Sequence, residues 1–407
     1  DAYRGQRTIE TGRETGGIVW GIWVFTIFTG FFGWLLRHSF AVSALTVPMA
    51  GIFLTIFIPL GRLGIRMVRE RLRVNRLDIA QVLLIGTGPM AVELANRLLN
   101  APHSGYLVLG FIDPEGGSIR RWERFRVFGG MDRLERVVRR LQVDAVFVCE
   151  PDWSAREVTD VVARLRELSV EVRVLTNTFR EMVERIQAPA DRMCGVPILD
   201  FTHARPARWR SVLKRAQDVV FSCVGMVLGL PVWGAIAAAI WLETGRPILI
   251  AQERVGTDGR IFRFLKFRSM VQNADALREE LERQNERTGP VFKIRHDPRI
   301  TRVGRILRRY SLDELPQCIN ILLGDMSLVG PRPPLAREVS RYDDWHRHRL
   351  AGPVGLTGLW QVSGRATLDF EEMVFLDMYY LSNQSIFFDY RIIMRTVRAV
   401  FLGDGAY

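Results

Sequence analysis

The sequence predicts a membrane-associated α/β protein built in three parts along its 407 residues. A transmembrane helical hairpin is expected over residues 1–75, a parallel α/β domain over 76–200, and a mainly helical domain over 201–407. Three observations carry this. Two apolar runs of bilayer-crossing length open the chain. Strand-like and helix-like patterns alternate between Asp78 and Leu199. A third apolar run, Val219 to Leu242, is flanked by strong positive charge on both sides.

The first two runs, Gly16 to Leu36 and Phe40 to Leu60, are each long enough to cross a bilayer. Only Arg37, His38 and Ser39 separate them, so a tight hairpin is expected. Arg4, Arg7 and Arg13 precede it, and Arg62, Arg66, Arg69, Arg71, Arg73 and Arg76 follow. Positive charge on both outer flanks places both ends on the cytoplasmic face.

The middle segment alternates strands with helices, which gives a parallel sheet. Strands are expected at Ile79–Ile85, Tyr106–Ile112, Asp144–Val148 and Glu171–Leu175, with a short one at Val127-Phe128. Helices are expected after the turn Gly86 to Ala91 to about Leu99, over Met131–Leu141 and over Ser154–Leu168. The turn Gly86-x-Gly88-x-x-Ala91 after the first strand fits a dinucleotide fingerprint, making the domain Rossmann-like. Asp113, closing the second strand, stands where a ribose-binding acid would sit. The segment lacks a Tyr-x-x-x-Lys pair, and a scaffold or regulatory role is favoured over active cofactor binding. A connector rich in Arg and Pro is expected over Cys194–Arg210.

The third run contains Leu230-Pro231 near its middle. Proline removes a helical hydrogen bond and bends the chain. Arg205, Arg208, Arg210, Lys214 and Arg215 lie before the run; Arg246, Arg254, Arg260, Arg263 and Lys266 lie after it. A re-entrant helix over about 215–243, broken at Leu230-Pro231, satisfies both facts. A Pro-kinked crossing helix would instead split the chain between two faces of the membrane. Phe370 to Val400 reads either as amphipathic helices at the interface or as a packed core helix.

Net charge is +12, carried almost wholly by arginine. That suits phosphorylated substrates or anionic lipid. No nucleic-acid motif is present. Cys149, Cys194, Cys223 and Cys318 are scattered without a CxxC pair, which argues against a disulfide framework or structural zinc. His346 and His348 have the wrong spacing to share one helix face as metal ligands.

The most informative stretch is Ser311-Leu312-Asp313-Glu314-Leu315-Pro316-Gln317, followed by Gly324 to Pro333 with Pro331-Arg332-Pro333. Two adjacent carboxylates stand before a loop rich in Gly, Pro and Arg, a pairing suited to phosphate chemistry. Ser-x-x-Glu is also a capping box, in which Ser311 caps a helix and Glu314 reaches back to its backbone. Asp297 and Asp325 read as structural, and Asp218 is expected to pair with Lys214 or Arg215.

From Lys214 to Tyr407 the chain closely resembles the bacterial sugar transferases, the monotopic phosphoglycosyl transferases. The resemblance rests on Lys214-Arg215-x-x-Asp218, Gln252-x-Arg254-Val255-Gly256, Phe264 to Met270, Asp297-Pro298-Arg299, the Asp313-Glu314 motif, Gly355 to Arg365 and Asp377-x-Tyr379-Tyr380. The N-terminal part resembles the large members, the polyprenyl-phosphate hexose-1-phosphate transferases. Those usually carry four transmembrane helices against two here; either a further pair precedes Asp1 or this member is short. Small members often have Ser where Leu230 stands.

The resemblance implies transfer of a hexose 1-phosphate from a UDP-sugar to undecaprenyl phosphate, releasing UMP. It implies Asp313 as nucleophile and metal ligand, Glu314 as its assistant, and Mg²⁺ as cofactor. Arg308, Arg332 and Arg365 are expected to hold phosphate or nucleotide, with Pro331 and Pro333 stiffening the loop. Lys266 and Arg268 are expected at donor phosphate or lipid headgroups. The expected location is the bacterial inner membrane with the chemistry on its cytoplasmic face; a homodimer is compatible with this reading, nucleic acid is not. Two alternatives stay open on the sequence: a membrane-anchored nucleotide-sugar oxidoreductase working through Gly86, Gly88 and Asp113, and a non-catalytic scaffold of glycan assembly.

Overall fold

A computed structural model describes residues 22–23, 26, 29, 46–74, 79–101, 105–116, 121–122, 124–166, 168, 170–175, 191–193, 196–201, 208–274, 297–364 and 368–402. Most of the first apolar run and Arg365 lie outside the described residues. The chain forms two compact units. One holds Asp1–Glu150 with Asp191–Ile198, the other Pro151–Ala190 with Leu199–Tyr407.

In the first unit, helix α1 (Thr46–Val74) takes in the second apolar run from Thr46 onward; Phe40 to Leu45 lie outside the described residues. Met49, Ile52, Phe53, Ile56, Phe57 and Leu60 stand exposed along it, as lipid contact requires. Thr26 of the first run lies so close to Gly51 that a Cβ there would sit 2.7 Å from its side chain. The two apolar runs therefore touch.

Strand β1 (Ala80–Ile85) is the centre of the parallel sheet. It pairs with β2 (Tyr106–Ile112) on one side and β3 (Ala145–Val148) on the other. Val82, Leu83, Leu84 and Ile85 are all buried. A strand covered on both faces reads as a continuous apolar run, which is why the sequence located it. Helix α2 (Pro89–Leu99) follows β1 and buries Ala91, Leu94, Ala95 and Leu98. Their spacing makes one apolar helix face. Helix α3 (Leu134–Leu141) runs before β3. Strands β5 (Asp191–Met193) and β6 (Val196–Asp200) pair antiparallel, so the segment expected as connector from Cys194 carries a strand over Val196–Asp200.

The second unit begins with α4 (Ala155–Arg166) and β4 (Glu171–Val174); β4 pairs antiparallel with the end of β6. Helix α5 (Arg208–Thr244) is one helix with Pro231 inside it. It is long and apolar enough to cross a membrane, and only 11% of its most apolar window is buried. That exposure argues against the core helix of a soluble protein. Leu230 and Pro231 are both exposed.

A hairpin of β7 (Leu249–Val255) and β8 (Ile261–Phe267) follows. Next come α6 (Arg302–Arg309), α7 (Gln317–Leu323) and two short parallel strands, β9 (Ser327–Val329) and β10 (Gly355–Thr357). Helices α8 (Phe370–Ser382) and α9 (Ile386–Leu402) complete the unit. They divide the two expectations for the C-terminal segment. Helix α8 buries an unbroken run from Met373 to Tyr380 and packs on α4. Helix α9 leaves Ile386, Phe387, Tyr390, Met394 and Val397 exposed, as an interfacial helix would.

Candidate functional site

The capping-box expectation fails. Ser311 adopts a left-handed backbone, φ 52°, and its side chain caps nothing. A serine cap needs an extended backbone at that residue; this geometry points the hydroxyl elsewhere. The left-handed residue ends the path from α6 and starts a single 3₁₀ turn, Leu312–Glu314. Asp313 and Glu314 are thus presented by a tight turn rather than absorbed by a helix start.

Asn320 fixes that turn against the hairpin. Its side-chain oxygen accepts from Leu265 N (3.0 Å) and its amide donates to Arg263 O (2.7 Å). Helix α7 is thereby stitched to β8, and the turn packs beside the same strand. Strand pairing sets Gln252 opposite Phe264 and Arg254 opposite Phe262. With a period of two, Gln252, Arg254, Phe264 and Lys266 share one face. Arg254 donates to Gln252 Oε1 (3.0 Å) and its guanidinium lies 5.2 Å from the Phe264 ring centre. Lys266 Nζ makes a long contact of 3.5 Å to the same Gln252 oxygen.

The loop with Arg332 closes the other side. Arg254 Nη1 donates to Pro333 O (3.1 Å), and Val255 N to Pro334 O (2.9 Å). At the root of this loop a Cβ on Gly330 would lie 2.2 Å from Pro353 O, so only glycine lets the strands approach so closely. Pro331 and Pro333 are buried while Arg332 is exposed. A shallow cleft opens beside it, lined by Arg332, Pro333, Tyr342, Arg349 and Trp360 among others.

These elements surround two carboxylates with cations. Burial raises the Asp313 carboxyl, while Arg308, Lys266 and Arg332 pull it back down. Burial also raises Glu314, and the charge of Asp313 raises it further, against Arg332, Lys266 and Arg254. The cations strain one another in turn. Burial and the neighbouring Arg254 lower Lys266 to about 8. Burial, then Arg332, lowers Arg254 to about 10.

Of the expected residues, the structure brings together Asp313, Glu314, Arg308, Lys266 and the Pro331-Arg332-Pro333 loop. Arg268 turns away: it is buried and donates to Thr244 Oγ1 (2.6 Å) and Gly245 O (2.7 Å), at the C-terminal end of α5. Lys214 pairs with Asp389 rather than Asp218, and Arg215 reaches the carbonyls of Ile321 and Leu322 at the end of α7. Asp297 pairs with Arg299 and Asp325 accepts from Asn320, both structural as expected. His346 Nδ1 accepts from Asp343 N (2.9 Å). Among the described residues no group of three or more His, Cys, Asp or Glu could hold a metal. Arg254 and Asn320 join the site beyond the expected residues; for Arg254 the sequence signal is the alternation Gln252-x-Arg254 facing Phe264-x-Lys266, and Asn320 has no local one.

A carboxylate pair buried inside a set of arginines and a lysine defines an anion-handling centre, here on a chain with a long, exposed apolar helix. The family model for bacterial sugar transferases matches residues 209–403, which contain all of it. The chain is 33% identical over 365 residues to the UDP-galactose-lipid carrier transferase of Erwinia amylovora, covering 86% of this chain and 73% of that protein. It is 44% identical over 287 residues to the galactosyl transferase CpsE of Streptococcus agalactiae serotype III, covering 68% and 62%. Against the undecaprenyl-phosphate galactose phosphotransferase of Salmonella typhimurium it is 41% identical over 206 residues, covering 48% and 42%. The chain belongs to the bacterial sugar transferase family. It spans less than two thirds of the length of the last two relatives.

Residues 1–175 match a family model described as a CoA-binding domain. The glycine turn does not fit the diphosphate of such a ligand. A Cβ on Gly86 would lie 2.6 Å from Glu150 Oε1, so a carboxylate already sits at the crevice between β1 and β3 where a ligand would enter. Pro89 opens α2 without an N–H, and Ala91 N donates to Gly88 O (3.1 Å). The helix start is left poor in donors for an anion. Asp113 is buried and accepts from Glu115 N (3.2 Å) within its own turn.

Proposed function

We propose that the protein transfers a hexose 1-phosphate from a UDP-sugar to undecaprenyl phosphate, in two steps through Asp313. A carboxylate oxygen of Asp313 attacks the phosphorus that bears the sugar. The bond from that phosphorus to the UMP oxygen breaks, and UMP leaves. An oxygen of the polyprenyl phosphate then attacks the same phosphorus and frees the carboxylate. Splitting the transfer lets a water-soluble donor and a lipid acceptor use one site in turn.

The observation that carries this reading is the charge arrangement around Asp313. Donor and acceptor are both anionic, so repulsion is the main obstacle, and Arg308, Lys266 and Arg332 all act on Asp313. Burial, and then Asp313's charge, raises Glu314, so the two neighbours lose their protons in turn rather than together. That suits Asp313 as nucleophile and Glu314 as proton donor or acceptor. Arg332, exposed at the cleft, meets the donor's diphosphate, for which its planar fork is matched.

Two adjacent carboxylates also suit Mg²⁺, which is commonly held by one or two carboxylates with substrate phosphates completing its shell. Asp313 and Glu314 would hold it, and the ion would neutralise the diphosphate. The exposed apolar surface of α5, with basic residues at both of its ends, supports a re-entrant seat that keeps this site on the cytoplasmic face of the inner membrane. The names of the relatives above support galactose as the sugar, in the first membrane step of a surface polysaccharide.

The test is UMP release from UDP-galactose and UDP-glucose with undecaprenyl phosphate and Mg²⁺. Asp313→Asn should abolish it and any trapped sugar-phosphate adduct. Turnover near the wild-type rate would refute the nucleophile.

A further inference from the structure

The first turns of α5 grip the donor side of the site through contacts that the chemistry above does not use. Lys214 Nζ donates to Asp389 Oδ2 (2.6 Å), to the Tyr380 hydroxyl (3.2 Å) and to Val329 O (3.3 Å). An ammonium has three N–H donors, and here each has an acceptor. The Tyr380 hydroxyl itself reaches Asp389 Oδ1 (2.7 Å) and Val329 O (2.9 Å). One turn further along α5, Asp218 Oδ1 accepts from Leu328 N (3.2 Å).

Val329 directly precedes Gly330-Pro331-Arg332-Pro333. The far end of that loop is held by Arg254 on Pro333 O and Val255 N on Pro334 O. Arg332 is therefore carried on a segment tethered at both ends, and one tether belongs to the membrane helix. Stability alone is a poor account of the buried pair. Replacing such pairs by apolar groups is often neutral or stabilising. Lys214 Nζ and the Tyr380 hydroxyl both reach the carbonyl of Val329, so the pair is joined to the loop and not only to itself.

We propose that Lys214, together with Asp389 and Tyr380, is a positioning residue: it fixes Val329 and thereby aims Arg332 at the donor. This rests on the transfer reading for what Arg332 holds, though not for the clamp itself. It ties the grip on a soluble anionic donor to the seating of α5. A helix displaced from lipid carries Lys214 off Val329 and loosens the loop.

Tyr380→Phe and Lys214→Met test it in the full chain, in lipid nanodiscs. Hydrogen exchange of residues 327–334 should quicken about tenfold, as expected for losing a bond to a charged group. Exchange over β8 should not change. The donor KM should rise by a similar factor with the acceptor KM unchanged, and Lys214→Arg should recover part of it. Tyr380→Phe keeps the ion pair, so it serves if Lys214→Met does not fold. Wild-type exchange across 327–334 in a folded variant would overturn the clamp. Faster exchange with an unchanged donor KM would overturn the positioning role. Absence of UMP release from the wild type would instead fail the transfer reading, and the exchange data would still decide the clamp.

Discussion

Replacing Lys266 by methionine should make the protein more stable and less active. Burial and Arg254 push the Lys266 pKa down to about 8, against the pull of Asp313 and Glu314. A displacement from the usual 10.5 to about 8 disfavours the charged form by ~3 kcal/mol. The sign follows from linkage. The folded chain releases this proton near pH 8, whereas the unfolded chain keeps it to about 10.5. Between those values the unfolded state binds more protons, so wild-type stability rises with pH. Below pH 8 the whole penalty is present. Methionine retains an apolar stem and removes the charge. At pH 7 the variant should melt about 5 °C higher, after discounting for the partial exposure of the group. That difference should shrink as pH climbs from 8 toward 10.5. UMP release should fall by about a hundredfold, the usual loss when one donor facing a developing charge is removed. Melting curves of both proteins in the same nanodiscs at neutral and alkaline pH, beside a turnover assay, read every part of this. A variant that melts lower at pH 7, or a gap that fails to narrow, would show Lys266 to be a stabilising cation and refute the reasoning.

Two further outcomes follow from the same charges and from the glycine turn. Asp313 and Glu314 are both raised by burial, so turnover should fall on the acid side at a higher pH than exposed carboxylates would give. Glu314→Gln should move that limb to lower pH by removing a coupled proton site; an unmoved limb in a pH–rate profile would count against the pair. In the first unit, calorimetric titration with CoA or NAD should show no saturable binding to the wild type, while Glu150→Ala should gain measurable affinity. Saturable wild-type binding that Gly88→Val abolishes would show the crevice to be a working ligand site.

Much of the architecture is legible because burial writes itself into local pattern. Strand β1 is a run of apolar residues since both faces are covered, and α2 repeats its apolar residues at helical spacing. The two carboxylates were visible as a motif, and the cations around them partly so. What pattern could not give was direction. Ser311-x-x-Glu314 satisfies a capping box in one dimension, yet the left-handed backbone at Ser311 removes the cap. Arg268 and Lys266 lie two apart near the end of β8. Lys266 enters the site, whereas Arg268, just past the strand's last residue, turns to the end of α5. Arg254 was one arginine among many until its strand partner placed it on the face of Lys266. Lys214 has an acid at helical spacing in Asp218, but its actual partner, Asp389, lies 175 residues away. Such long-range pairing leaves no local trace.

The cations of the site are held where they repel each other. Arg254 lowers Lys266, and Arg332 lowers Arg254. A protein gains no stability from that crowding; an arriving anion relieves it. A diphosphate placed among Lys266, Arg254 and Arg332 lowers the energy of their charged forms and must raise the pKa values of Lys266 and Arg254 by the same coupling. Binding of the donor above pH 8 should therefore draw in a proton at Lys266, and the charge that helps the transfer is fully present only once the donor has arrived. Asp313 gains in the opposite sense. As the diphosphate takes up the cations' field, the carboxylate is less strongly held by them and more available to attack. The same crowding that weakens the empty site thus favours the bound one, and it works only while the Arg332 loop stays close enough to Arg254 for the repulsion to exist.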